Sequence, residues 1–359
     1  MRGEHKVAND YTPDKPVERL AAPRLSLDLL DLCGHPRPVA NDNSLRGRYM
    51  APPFSVLDTK AGEWQERKRE WLALGIKSEL GRGEATGGKE LISNAMDMGS
   101  KARYDAAAKA TAIPGGVASN APPAAAGTSI FDPVLTEICL SWFCPGGGLV
   151  LDPFAGGSVR GIVAGKMGLQ YQGHELRAEQ VAANREQAAK ICPGAGVAWH
   201  EGDSAETIPA STAAADMVFS CPPYGSLEVY SDDPADLSNM PFERFAARYT
   251  EIIGAACACL KPNRFAAFVV GNYRDKRGHY HDLVGLTVRA FEAAGLGFYN
   301  DIILLNAIGS GAVRAGKQFT SGRKVVKVHQ NVLVFVKGDG KSATRAITAA
   351  NDNAGATAL

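Results

Sequence analysis

A chain of 359 residues can bury a full core, and one large domain with an appendage is the natural expectation. A formal charge of +1 gives no global field, so any contact with nucleic acid must come from local patches. Seven cysteines (Cys33, Cys139, Cys144, Cys192, Cys221, Cys257 and Cys259) form no CxxC unit, which argues against a disulfide framework and a structural zinc site.

No metal is expected. No apolar run approaches the ~20 residues of a membrane span, and the stretch MRGEHKVAND has no apolar signal-like core, so a cytoplasmic protein is expected.

Residues 1–48 read as a low-complexity tail, with Val-Ala-Asn-Asp at 7–10 and again at 39–42, and one short helix over Leu25–Leu32. Residues 49–102 read as a helical extension. Pro52–Asp58 is extended, and a helix is predicted over Lys60–Leu74, where Trp64 and Trp71 sit among Arg67, Lys68 and Arg69. Two roles fit that helix: packing through its tryptophans, or lying on nucleic-acid phosphates. Residues 103–127, rich in Ala, Pro and Gly, read as a linker. Residues 339–359 read as a disordered tail.

The regular pattern lies in 128–338. Strands are predicted at Gly148–Phe154, Tyr171–Glu175, Val197–Gly202, Met217–Cys221, Phe265–Asn272, Gly297–Asn306 and Asn331–Lys337. Helices fall at Val134–Phe143, Ser158–Met167, Ala178–Lys190, Pro241–Leu260 and Leu283–Gly295. This alternation predicts an α/β, Rossmann-like seven-stranded sheet, mostly parallel, with helices on both faces. The last two strands have no helical pattern between them and are expected to pair antiparallel at one edge.

Val150-Leu-Asp-Pro-Phe-Ala-Gly-Gly-Ser158 ends an apolar run in an acid and a glycine turn. Glycines at the carboxyl end of a strand let the backbone approach a ligand. The lysine of a phosphate loop is missing, and an acid there would repel phosphate. Two more acids, Glu175 and Asp203, close the next two strands, and together the three mark a small-nucleotide site. The fourth strand ends in Ser220-Cys-Pro-Pro-Tyr-Gly225. Two prolines remove two amide donors, leaving carbonyls as acceptors, and Tyr224 supplies a flat ring for a base. Such a site suits an exocyclic amine.

With these two motifs on one sheet, residues 128–338 resemble the amino-group DNA methyltransferases that use S-adenosylmethionine, and most of all their phage-type and prophage-type members. The resemblance rests on Asp152-Pro-Phe-Ala-Gly-Gly157, Cys221-Pro-Pro-Tyr224, the lead-in Ser129-Ile-Phe-Asp132 and the last strand His329-Gln-Asn-Val-Leu-Val-Phe-Val336, and its phage-type part on Leu227-Glu-Val-Tyr-Ser-Asp-Asp233 and Pro52-Pro-Phe-Ser-Val-Leu-Asp58. It implies a cofactor site built from Ser129, Phe131, Asp132, Asp152, Pro153, Phe154, Ala155, Gly156, Gly157, Ser158, Glu175, Leu176, Asp203 and Ser204. It implies a catalytic turn made of Ser220, Cys221, Pro222, Pro223 and Tyr224, and double-stranded DNA as partner, with a homodimer compatible with the reading. The implied chemistry is direct methyl transfer to adenine N6 or cytosine N4 of a flipped base.

Cys221 departs from the family, which has Asp, Asn or Ser there. A thiol accepts weakly, so the backbone, Ser220 or a different substrate must compensate. A nucleophilic Cys221 is the further option. Residues 309–329 are expected to form a loop whose Arg314, Lys317, Arg323, Lys324 and Lys327, with no acid among them, bind DNA phosphates. The acidic stretch 226–240 is read as a lid. Two other functions fit the motifs: RNA methylation at a guanine amine, and a DNA-binding protein with a degenerate methyltransferase core.

Overall fold

The computed structural model describes residues 44–77, 131–211, 214–227, 230–306 and 311–357. The short helix over 25–32, the linker over 103–127 and Ser129 lie outside the described residues.

Strands β1 (Val56–Asp58), β2 (Leu149–Asp152), β3 (Gln170–Glu175), β4 (Val197–Glu201), β5 (Ala215–Ser220), β6 (Leu260–Val270), β9 (Gly297–Leu305) and β10 (His329–Lys337) form one eight-stranded sheet in the order β1-β9-β10-β6-β5-β2-β3-β4. All seven strands read from the sequence are present. The antiparallel strand, β10, is not at the edge, however. It is inserted between β6 and β9 and runs against both. The edge is taken by β1, which pairs parallel with the end of β9. A small hairpin, β7 (Tyr273–Arg274) and β8 (Tyr280–His281), follows β6.

Alternating side chains build two cores. Along β5, Met217 and Phe219 face one layer and Val218 the other; along β10, Val332 and Val334 alternate with Leu333 and Phe335. After a short helix, α1 (Leu45–Tyr49), one layer is covered by α2 (Gly62–Ala73), α3 (Pro133–Phe143), α4 (Val159–Lys166) and α5 (Ala178–Ile191). The other is covered by α6 (Ser204–Ser211), α7 (Phe242–Cys259) and α8 (Leu283–Ala293), where Phe291 stacks on Phe335 at 4.1 Å. Strands read as continuous apolar runs because both faces are covered.

The described part of the extension, up to residue 77, is part of this body. Trp64 and Trp71 are buried. The Trp71 indole donates to Glu137 at 2.7 Å, and Arg67 pairs with the same carboxylate, which is 3% exposed. Lys68 pairs with Asp132 at 2.9 Å. Two cations of this helix are thus turned inward, which withdraws them from the phosphate contact considered for it. Two segments differ from expectation: Gly311–Gly322 is a helix (α9) inside the expected loop, and Gly340–Thr357 is a helix (α10) packed on β6 and β10 rather than a disordered tail. No helix among the described residues is long and apolar enough to cross a membrane.

Candidate active site

From β2 the chain builds outward to β3 and β4, then returns to β5 on the other side of β2. Two adjacent parallel strands whose connections leave in opposite directions open a crevice at their carboxyl ends. The glycine turn follows β2 and the Cys-Pro-Pro-Tyr turn follows β5, so both motifs face that crevice. A cavity of about 560 Å3 lies there.

Of the expected site residues, Phe131, Asp132, Pro153, Phe154, Ala155, Gly156, Gly157, Glu175, Leu176, Asp203, Ser204, Cys221, Pro222, Pro223 and Tyr224 line this cavity. Asp152, Ser158 and Ser220 do not, and each is fully buried behind the wall. Asp152 is saturated. Its Oδ1 accepts from the Ser220 hydroxyl at 2.5 Å and the Phe154 amide at 3.2 Å. Its Oδ2 accepts from Arg160 Nε at 2.6 Å and the Tyr171 hydroxyl at 2.8 Å. Every partner is a donor, so Asp152 shapes the turn and has no free lone pair for a ligand ammonium. Ser220, spent on Asp152, cannot assist Cys221 from that position.

Arg160 was missed in the sequence. It lines the cavity, donates to the Phe154 and Ala155 carbonyls at 2.6 and 3.0 Å, and lies 4.5 Å from the Phe131 ring centre. Burial pulls its pKa down, but Asp152 overcomes this and holds it above the ordinary arginine value. The signal was present as an arginine eight residues after Asp152, in the first turn of α4, where a side chain points back toward the strand tip.

Glu175 accepts the Gly156 amide at 2.9 Å and the Arg177 amide at 3.1 Å, one on each oxygen. Burial raises its pKa, and these two amides hold it back. Asp203 caps α6 through the Ala205 amide at 3.0 Å and pairs with Arg248 at 2.7 Å. Ser204 donates to the Pro153 carbonyl at 2.6 Å, tying the ends of β2 and β4 together. Beneath Glu175, His174 stacks on His200 at 4.9 Å, and burial with the neighbouring imidazole lowers its pKa to about 4.

On the β5 side, the Tyr224 hydroxyl accepts from Gln330 Nε2 at 2.5 Å and hydrogen-bonds Cys221. Burial, then Cys221, push the phenol well above its ordinary pKa, so it stays protonated. Gly225 has φ +52, and a Cβ there would stand 2.0 Å from the Tyr273 hydroxyl. Only glycine lets the hairpin close down on this turn. Of the stretch 226–240, Leu227, Tyr230, Ala235, Asp236 and Leu237 line the cavity. Thr59, Gln65 and Lys68 complete the wall from the extension, a contribution no local motif announces. Among the described residues no cluster of His, Cys, Asp and Glu is arranged to hold a metal.

No family model and no curated protein matches the sequence. Among solved structures, the chain is similar to TrmN from Thermus thermophilus at 18% identity and TM-score 0.41, over 58% of this chain and 49% of that one. It is similar to a methyltransferase from Pyrococcus furiosus at 17% identity and TM-score 0.37, over 58% and 84% of the two chains. For precorrin-6y C5,15-methyltransferase from Geobacter metallireducens the values are 15%, 0.39, 59% and 93%. The aligned part thus spans about half the length of TrmN, and any reading of function rests on this chain's own site.

Proposed function

We propose that this protein transfers a methyl group from S-adenosylmethionine to an exocyclic amine, adenine N6 or cytosine N4, of a base in duplex DNA. The observation that carries the reading is the meeting of the two turns, Pro153–Gly157 and Cys221–Tyr224, on one cavity at the topological switch point of the sheet.

The residues fit the cofactor. About 560 Å3 suits a nucleoside with an amino-acid arm. Each Glu175 oxygen accepts one backbone amide and keeps a lone pair for a ribose hydroxyl. Asp203 lines the same cavity; Arg248 takes its Oδ2, and its Oδ1, which accepts the Ala205 amide, keeps a lone pair for an adenine amine. Asp152 does not bind it directly and acts through the shape of the turn. When bound, the cofactor supplies a methyl group already activated on a sulfonium.

The protein's share is alignment and removal of water. Pro222 and Pro223 have no amide N–H, so the carbonyls of their turn are free to accept the hydrogens of an amine and direct its lone pair across the cavity. Tyr224, fixed by Gln330, offers its ring to the base. Cys221 is half-buried at the same point and engaged with the Tyr224 hydroxyl, which favours a spacer or weak acceptor over a nucleophile. The amine loses its proton during or after transfer, and no strong base is required.

The test is calorimetry with S-adenosylmethionine, followed by transfer of labelled methyl to duplex DNA and, in parallel, to tRNA and rRNA. The reading expects cofactor binding and label in DNA. Label in RNA alone would replace it with the guanine-amine reading, and no cofactor binding would replace it with a degenerate core.

A further inference from the structure

The strand β10 runs against β6, so the residues that lead into β10 stand at the same end of the sheet as those that leave β6. This brings segment 323–328 against Gly271 and the β7–β8 hairpin, next to the Cys221–Gly225 turn. The contact is made by two lysines seated over two glycines. A Cβ on Gly271 would stand 3.2 Å from Lys327 Nζ, and a Cβ on Gly278 would stand 2.3 Å from Lys324 Nζ. A side chain at either glycine would displace the ammonium above it.

The hairpin is braced to receive them. Arg274 donates to the Gly278 carbonyl at 2.7 Å and lies 3.9 Å from the Tyr280 ring centre. Tyr273 closes on Gly225 from the other side. The hairpin that Lys324 touches at Gly278 also carries two exposed cations, Lys276 and Arg277. The single acid of the hairpin, Asp275, is turned into its own bend, where it accepts the His279 amide at 2.8 Å. Among the described residues neither lysine is ion-paired, and Lys327 is partly withdrawn from water with no counter-charge. A half-buried cation without an anion beside an acceptor site is placed to take one from the substrate.

We propose that Lys324 and Lys327 clamp the phosphates that flank the target base in a DNA duplex, and so position that base over the Cys221–Tyr224 turn; this rests on the methyltransferase reading of that turn. Both are positioning residues. They fix where the strand lies and touch no reacting atom. The exposed Arg314 and Lys317 on α9 stand outside the clamp.

The test uses the full chain and a fluorescently labelled, unmethylated mixed-sequence duplex. Affinity is measured across a salt series, with cofactor affinity as the folding control. Losing two phosphate contacts should lower the slope of log K against log salt by about 1.8, or about tenfold less loss of affinity over a fourfold rise in salt. Lys324→Gln with Lys327→Gln should show this, lower kcat/KM on the duplex and leave cofactor affinity unchanged. Lys324→Arg with Lys327→Arg should restore the slope. An unchanged slope in the glutamine variant overturns the clamp, as does a slope change seen with RNA and not with DNA. Failure of the wild type to label any DNA would instead refute the reading of the turn, so the two failures are distinguishable.

Discussion

The buried Asp152–Arg160 pair makes the sharpest prediction. Asp152→Asn keeps the size and shape of the side chain. All four groups that approach it are donors: Arg160 Nε and the Tyr171 hydroxyl on one oxygen, the Ser220 hydroxyl and the Phe154 amide on the other. An amide nitrogen on either side sets donor against donor and leaves the Arg160 charge uncompensated. Breaking such a pair from one side costs about 3–5 kcal/mol. At about 2–4 °C per kcal/mol for a domain of this size, the melting temperature should fall by roughly 10 °C. The assay is thermal unfolding without ligand, with cofactor affinity measured well below the transition. Adding Arg160→Met should recover part of the loss, because the unpaired charge is then gone. A variant that melts like the wild type and loses only cofactor affinity would refute this account and put Asp152 in direct contact with the ligand.

Other outcomes follow from the same geometry. Tyr224→Ala should leave cofactor affinity intact and lower kcat/KM about tenfold or more, since stacking on one base contributes about 1–3 kcal/mol; Tyr224→Phe, which keeps the ring, should lose much less, and equal losses would refute the stacking role. Gly225→Ala should reduce activity through collision with Tyr273 while calorimetry shows unchanged cofactor binding; full activity would mean that the hairpin does not brace the turn. His174 is neutral in the folded state down to about pH 4, whereas an unfolded histidine protonates near 6.5. Protonation therefore favours the unfolded state as pH falls from 6.5 to 4, and stability present above 6.5 should drop by about 3 kcal/mol across that window. Urea midpoints against pH test this, and His174→Gln should flatten the acid limb.

Most of the sheet was legible because parallel strands covered on both faces read as apolar runs, and because Asp152, Glu175, Asp203 and Cys221 each mark a strand tip. The crevice followed from the same marks, and most of the expected cofactor residues line it. What stayed hidden depends on contacts distant in sequence. Nothing near Asp152 announces that Ser220, 68 residues on, and Tyr171 will saturate it. The insertion of β10 between β6 and β9 is a choice of partner, and an alternating strand pattern does not name its neighbour. The place of α2 was decided by Glu137, a buried acid on an apolar helix, which binds Arg67 and Trp71. Helix α9 carries three glycines (Gly311, Gly316, Gly322) and two basic residues, a composition that reads equally as a loop, and its amphipathic face appears only once it is wound.

The central claim is methyl transfer to an exocyclic amine. Its most direct test is to incubate the protein with unmethylated duplex DNA and S-adenosylmethionine carrying a heavy-isotope methyl group, digest the DNA to nucleosides and identify the product by mass spectrometry. The account predicts the label in N6-methyl-deoxyadenosine or N4-methyl-deoxycytidine. Label in 5-methyl-deoxycytidine would make Cys221 a nucleophile and contradict it, as would a cofactor-binding protein that leaves every nucleoside unlabelled.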